Sequence, residues 1–313
     1  MRVLFAGTPA LAVPSLQKIA QFAVGVLTSP DQPAGRGRAC LPSPVKEAAL
    51  SLGLRLFQPS RLDAALIEEV RALAPDLLVV AAYGKIFRPA FLGLFPLGGI
   101  NLHPSLLPRF RGPSPVSAAI LAGDAETGVT VQRIALKFDT GDILAQERYP
   151  LNGSETTASL GEALGLRGAA LVASVVAGFA AGTPPASIQQ REEEASYCHP
   201  LRKEEGMVDW GEPVVLIERK VRAYDPWPRA STTLAGEPLL LLKSHVHPDT
   251  LGSDSAPKTP GVVLAADRAH GLLVQTGSGV LAVERLQPRF KKAMDWRAFM
   301  NGHPEVIGQQ LGA

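Results

Sequence analysis

The strongest constraint on this 313-residue chain is a rhythm in its first hundred residues, where short apolar runs alternate with stretches whose apolar residues recur at helical spacing. Val3-Leu4-Phe5-Ala6 ends at Gly7-Thr8-Pro9, and Leu11, Val13, Leu16, Ile19 and Ala20 follow along one helical face. Thr8 is placed to cap that helix and Pro9 to open it, since proline has no N–H to waste in a first turn. The same alternation predicts strands near 23–28, 55–57, 77–82 and 99–103, with helices near 43–51 and 63–73. Strands separated by helices pair in parallel through right-handed crossovers. Such strands are covered on both faces, which suits the unbroken Leu77-Leu78-Val79-Val80-Ala81. The expected fold class is therefore α/β, a Rossmann-like domain with a mostly parallel sheet.

The texture changes between Thr183 and Arg202, where TPPASIQQREEEASYCHPLR is polar and proline-containing and reads as a connection between domains. A short helix is expected near 214–222. Apolar runs at 238–243, 261–265, 271–275 and 280–286 then alternate with Gly, Pro and Asp, and Thr276-Gly277-Ser278-Gly279 forms a hairpin turn. Short strands of this kind predict a small C-terminal β-barrel. The expected organisation is a catalytic domain over 1–189, a linker over 190–205 and the barrel over 206–313.

Composition narrows the function classes. With 46% hydrophobic and 19% charged residues the chain reads as soluble and globular, and no apolar stretch is expected to reach the roughly 18 residues that span a bilayer, so no membrane partner is expected. Gly7, Pro9 and Pro14 break the N-terminal apolar stretch before it can serve as a signal peptide. Cys40 and Cys198, neither in a CxxC motif, are too few for a disulfide framework and point to a reducing, cytoplasmic setting. A net charge of +2 means that any nucleic-acid contact must come from local clusters.

The chemistry concentrates where the apolar pattern fails. Asn101 and His103 are two apart in a strand, so they share one face while Ile100 and Leu102 take the other. The following Pro104-Ser105-Leu106-Leu107-Pro108 places them near the strand's C-terminal end, where open α/β sheets bind ligands. A second strand-like run, 128–134, leads to Lys137-Phe138-Asp139-Thr140-Gly141-Asp142. Taken alone, an Asn-x-His pair can be a strand end and DTGD a turn.

The whole segment NLHPSLLPRFRGPSPVSAAILAGDAETGVTVQRIALKFDTGDIL resembles the signature of the folate-dependent formyltransferases, Asn-x-His, then Ser-Leu-Leu-Pro, then an Asp 38 residues after the Asn. The resemblance implies that Asn101, His103 and Asp139 are catalytic. It also implies that Ser105, Leu106, Leu107 and Pro108 contact the carrier, 10-formyltetrahydrofolate, with Tyr83–Ile86 and the 139–142 loop as weaker candidates and Asp142 structural. The chemistry agrees. Formyl transfer to an amine passes through a tetrahedral carbon with charge developing on oxygen, which the Asn101 amide and a protonated His103 suit as donors. The amine must lose a proton and the folate nitrogen gain one, a task for imidazole oriented by a carboxylate. No metal is required.

The acceptor is read from three further features. PDQPAGRGRACLPSPV at 30–45 carries Arg36 and Arg38, with Lys46 just beyond, a set suited to a phosphate backbone. The opening FAGTP and that loop resemble the methionyl-tRNA branch of the family, as do RKEEGMVDW at 202–210, RAYDPWP at 222–228 and LQPRFKKAM at 286–294. That resemblance implies an OB-like barrel and an initiator methionyl-tRNA partner for a monomeric enzyme. Residues 201–313 hold 14 Lys and Arg against 13 Asp and Glu, so tRNA contact requires a patch, for which Lys203, Arg289, Lys291 and Lys292 are the candidates. Trp210 and Trp227 are read as packing residues.

Three other readings compete. A formyltransferase for glycinamide ribonucleotide or an amino-sugar nucleotide would share the three polar residues but give no reason for the Arg-rich loop together with this C-terminal part. A purely RNA-binding barrel gives no role to the Asn, His and Asp set. A dinucleotide-dependent oxidoreductase lacks GxGxxG after its first strand, since Gly7-Thr8-Pro9 has one glycine. His245-x-His247 has no Cys or other spaced ligand in sequence to make a metal site.

Overall fold

The computed structural model describes residues 1–34, 39–248 and 259–312, and divides into two compact units. The first comprises Met1–Ala119, Ala125–Leu151 and Ser159–His199, the second Ile120–Asp124, Asn152–Ala158 and Pro200–Ala313.

In the first unit the chain runs β1 (Val3–Gly7), α1 (Val13–Ile19), β2 (Ala23–Leu27), a small hairpin of β3 (Gln32–Ala34) and β4 (Ala39–Leu41), α2 (Pro44–Ser51), β5 (Leu56–Phe57), α3 (Ala64–Arg71) and β6 (Leu77–Ala81). It continues through α4 (Pro89–Leu92), β7 (Gly99–His103), α5 (Pro115–Ala122), β8 (Glu126–Arg133), β9 (Ile143–Pro150) and α6 (Thr157–Ala180). Seven strands form one sheet in the order β5-β2-β1-β6-β7-β8-β9, parallel from β5 to β7 and antiparallel beyond. The chain leaves β1 toward β2 and β5, then returns to the other side through β6 and β7. That reversal opens a crevice at the strands' C-terminal ends.

Local signals account for most boundaries. Ser43 and Asp63 cap α2 and α3, their side chains accepting from the Lys46 and Leu66 amides. Thr8 does not cap α1, contrary to the expectation. A 3-10 turn at Ala10–Ala12 intervenes, α1 begins at Val13 with Pro14 in its first turn, and the Thr8 hydroxyl meets Ser29 Oγ at 3.1 Å.

In the first unit β9 and the 24-residue α6 escaped the periodicity, as did β3, β4, α4 and α5. The expectation that no segment is long and apolar enough to cross a bilayer is corrected by α6, which has that length and composition. Its apolar excess has a place in the first unit. Leu160, Leu164, Ala169, Val172, Val176 and Phe179 form a buried stripe, and Gly165 and Gly168 let the helix approach closely. A Cβ on Gly165 would lie 2.9 Å from the Leu11 carbonyl oxygen, and one on Gly168 would lie 2.6 Å from Leu102 Cδ2. Gly161, in the same helix, faces open space. Gly165→Val is therefore expected to lower the unfolding free energy by about 1–3 kcal/mol through overpacking. Gly161→Ala should raise it by up to about 1 kcal/mol through helix propensity. Urea midpoints moving the same way for both would contradict this packing.

The second unit holds α7 (Val214–Ala223), β10 (Ala230–Leu234), β11 (Glu237–Val246), β12 (Val263–Asp267), β13 (Gly271–Gln275), β14 (Val280–Pro288), β15 (Met294–Asp295) and α8 (Trp296–Gly302). Its antiparallel sheet has the order β10-β11-β14-β13-β12, with β15 on β14. The last residues link its two edges, Leu311 bridging to Leu234 and Gln310 to Val262. The result is barrel-like, which leaves few unpaired edges. The Thr276–Gly279 turn joins β13 to β14 as expected, the Thr276 amide donating to the Gly279 carbonyl. Trp210 is buried and donates from Nε1 to Thr232 Oγ1 at 3.0 Å, whereas Trp227 is 51% exposed and packs only in part. His245 Nδ1 lies 2.9 Å from Glu284 Oε1 and its Nε2 3.1 Å from His270 Nδ1, a hydrogen-bonded chain.

The stretch read as a linker joins the first unit as far as His199. Ile188 bridges Ile143, and Tyr197 bridges Arg111.

Candidate active site

β7 runs between β6 and β8 with Ile100 and Leu102 buried in the core, so Asn101 and His103 are presented on the opposite face. The antiparallel register with β8 sets Gln132 beside Asn101 and Thr130 beside His103. The loop after β8 then turns back, and Asp139 meets the pair. Its Oδ1 lies 3.6 Å from His103 Nδ1 and accepts from Asn101 Nδ2 at 3.4 Å and Gln132 Nε2 at 2.8 Å, while Oδ2 accepts from the Gly112 amide at 2.9 Å. The three residues singled out from sequence thus converge, although 38 positions separate Asn101 from Asp139.

His103 is 4% exposed and its Nε2 is 2.9 Å from the Phe110 carbonyl. A carbonyl only accepts, so Nε2 carries the proton there and Nδ1 faces the carboxylate. Asp139 has a φ of +54°, a conformation that costs a non-glycine residue about 1–3 kcal/mol and persists only where its surroundings enforce it.

Four residues of this network went unnoticed in the sequence: Arg111, Gly112, Gln132 and Gln190. Gln190 Nε2 reaches the carbonyls of Asp139 (2.8 Å) and Gly141 (2.7 Å) and Gln132 Oε1 (3.1 Å), and its Oε1 accepts from Arg111 Nε at 3.1 Å. Arg111 is 1% exposed and donates through Nη1 to Glu192 Oε2 and the Tyr197 hydroxyl, both at 2.8 Å. Burial disfavours the Arg111 charge, but those two partners outweigh it and hold the guanidinium above its ordinary range. The Arg111 hydrogen bond in turn holds the Glu192 carboxyl low. Cys198, packed against the Phe110 and Arg111 carbonyls, has its thiol pushed up by burial. The only sequence signal for these positions was the unusual polarity of Gln132 inside an apolar strand, since the other contacts join residues far apart in the chain.

The remaining candidates are scattered. Ser105 and Leu107 are buried, Ser105 Oγ donating to the Arg109 carbonyl at 2.7 Å and the Leu107 amide to Thr130 Oγ1 at 3.2 Å, whereas Leu106 and Pro108 are half-buried. Tyr83 is buried, which pushes its hydroxyl up to about 12, and Lys85 donates to the Pro59 and Ser60 carbonyls. Beside Asp139, Leu136 and Phe138 are 76% and 67% exposed, an unusual display of apolar surface in one loop. Lys46 pairs with Asp31 at 2.6 Å, so its charge is met locally. Arg36 and Arg38 lie outside the described residues. In the second unit Lys203, Lys291 and Lys292 are exposed, and Arg289 stacks over the Phe290 ring at 4.6 Å.

Comparison with known proteins gives a consistent picture. Residues 3–176 match the formyl transferase family and residues 200–304 match the formyl transferase C-terminal domain. The methionyl-tRNA formyltransferase of Treponema pallidum (strain Nichols) is 47% identical over 100% of this chain and 99% of its own. That of Treponema denticola is 44% identical over 98% of both. In fold, the chain is similar to an N-formyltransferase from Helicobacter canadensis crystallised with folinic acid and dTDP-3-aminofucose. That match has a TM-score of 0.66 at 18% identity, covering 90% of this chain and 99% of the other.

Proposed function

The chain belongs to the formyl transferase family, and on that premise we propose that it transfers a formyl group from a tetrahydrofolate-derived donor to the α-amino group of methionyl-tRNA. The observation that carries the reading is the meeting of Asn101, His103 and Asp139 at the end of β7, in a chain whose methionyl-tRNA formyltransferase relatives match it from end to end. The donor is 10-formyltetrahydrofolate and the acceptor the initiator tRNA, in a monomeric enzyme of the cytoplasm.

The residues fit that donor. The exposed Leu136 and Phe138 offer an apolar surface to an aromatic ring system beside the catalytic carboxylate, and the half-buried Leu106 and Pro108 offer more. In the reaction the amine nitrogen bonds to the formyl carbon, the bond from that carbon to the folate nitrogen breaks, and one proton passes from amine to folate. Charge collects on the formyl oxygen in between. An oxyanion is a stronger acceptor than the Phe110 carbonyl that His103 Nε2–H meets without substrate, so His103 and the Asn101 amide serve it as donors. Asp139, beside Nδ1, stabilises the imidazole when it carries charge. For the phosphate backbone of the tRNA the candidates are Arg36 and Arg38, and separately Lys203, Arg289, Lys291 and Lys292; Lys46 would have to give up Asp31, 2.6 Å away, to join them.

The test offers methionyl-tRNA and glycinamide ribonucleotide to the enzyme with the same folate donor. Formyl-methionyl-tRNA is the expected product. Formylation of the small acceptor alone would overturn the assignment.

A further inference from the structure

We infer that Gln190 is a positioning residue, whose side-chain amide fixes the 139–141 turn and so holds the Asp139 carboxylate against His103 and Asn101. The inference rests on the catalytic role proposed for Asp139.

The argument is one of hydrogen-bond polarity. A glutamine amide can turn over and exchange its oxygen for its nitrogen, so a network of glutamines has no intrinsic direction. Here one end is fixed by a group that can only donate. Arg111, buried and anchored by Glu192 and Tyr197, points Nε at Gln190 and therefore requires the Gln190 oxygen on its side. The Gln190 nitrogen is then forced toward three acceptors, the Asp139 carbonyl, the Gly141 carbonyl and Gln132 Oε1. Its two hydrogens are shared among the three, with Gln132 Oε1 the longest contact, and that contact agrees with the acceptor-only carboxylate in turning the Gln132 nitrogen to Asp139 Oδ1, 2.8 Å away. The direction set at Arg111 thus passes through two amides to the carboxylate. Gln190 acts twice: it helps aim Gln132, and it grips two carbonyls of the one turn in which Asp139 keeps a positive φ. It does so from a position 51 residues away in sequence, adding a tertiary hold to the turn's own Thr140–Lys137 hydrogen bond.

Two variants keep the volume of the side chain and remove its donors: Gln190→Met, and Gln190→Glu, which sets a carboxylate oxygen against two carbonyls. A space-filling role predicts that both behave as wild type. The polarity argument predicts that both lose about tenfold to a hundredfold in kcat, with KM for methionyl-tRNA changed by no more than about twofold. It also predicts a displaced pH profile of kcat, because the carboxylate no longer sits at a fixed distance from the imidazole. Hydrogen exchange at the Gly112 amide, which donates to Asp139 Oδ2, should accelerate in both variants, and melting curves establish that they are folded. Wild-type kcat and pH profile in either variant, or unchanged Gly112 exchange, overturns the inference. Failure of the wild-type enzyme to formylate methionyl-tRNA would instead count against the functional reading, and the Gly112 exchange test would stand apart from it.

Discussion

His103→Ala is expected to lower kcat by about 10³-fold while leaving affinity for methionyl-tRNA within a few-fold of wild type. The imidazole is asked for two things, a hydrogen bond to the developing oxyanion and a proton in transit. Removing a single oxyanion donor costs about 10²–10³ and removing a general acid or base about 10²–10⁴. Both contributions act in the transition state, so the loss falls on kcat and not on acceptor binding. The substitution also removes the hydrogen bond that His103 Nε2 makes to the Phe110 carbonyl at 2.9 Å, leaving that oxygen the weaker Cys198 thiol, a loss of about 1 kcal/mol. Melting temperature must therefore be followed beside turnover. His103→Asn restores a donor on a shorter arm and should recover stability more than rate. A folded His103→Ala enzyme with near-normal kcat would remove the residue from the mechanism.

Gly112→Ala should be nearly as damaging although the residue has no side chain to contribute. Its φ is +114°, a region essentially reserved for glycine, and a Cβ there would run into the Cys198 carbonyl oxygen. That oxygen belongs to the main chain and not to the far end of a flexible side chain, so the backbone must move, at a cost of about 2 kcal/mol or more. The movement takes with it the amide that donates to Asp139 Oδ2. A carboxylate displaced by about 1 Å can cost about 10²-fold in rate. Turnover should therefore fall by about that factor in protein that still melts cooperatively. Wild-type kcat in Gly112→Ala would show that the Gly112 amide is not what holds Asp139.

Much of the first unit was legible because its signals are local. Ser43 and Asp63 announce helix starts one residue ahead, and the Leu77–Ala81 run declares a strand covered on both faces. Thr8 misled for a reason of the same kind. A threonine before a proline has the chemistry of a cap, but its hydroxyl is taken by Ser29 on the neighbouring strand's exit, a partner no local rule can supply. The helix α6 was missed because its many apolar residues blur the helical stripe, and its buried side is marked in the fold by that stripe together with Gly165 and Gly168, pressed against Leu11 and Leu102.

By itself the sequence determined the alternation of strands and helices, the change of texture near 183–202 and the shared face of Asn101 and His103, because each is written in spacing along the chain, while Asp139 joined them through the resemblance to the formyltransferase signature. Tertiary structure alone decided that Asp139 reaches His103, and that Arg111, Gln132 and Gln190 stand behind it. Those bonds join residues 7 to 79 positions apart. Hydrogen-bond direction acts through space over about 3 Å, and only the folded backbone brings such residues within that range.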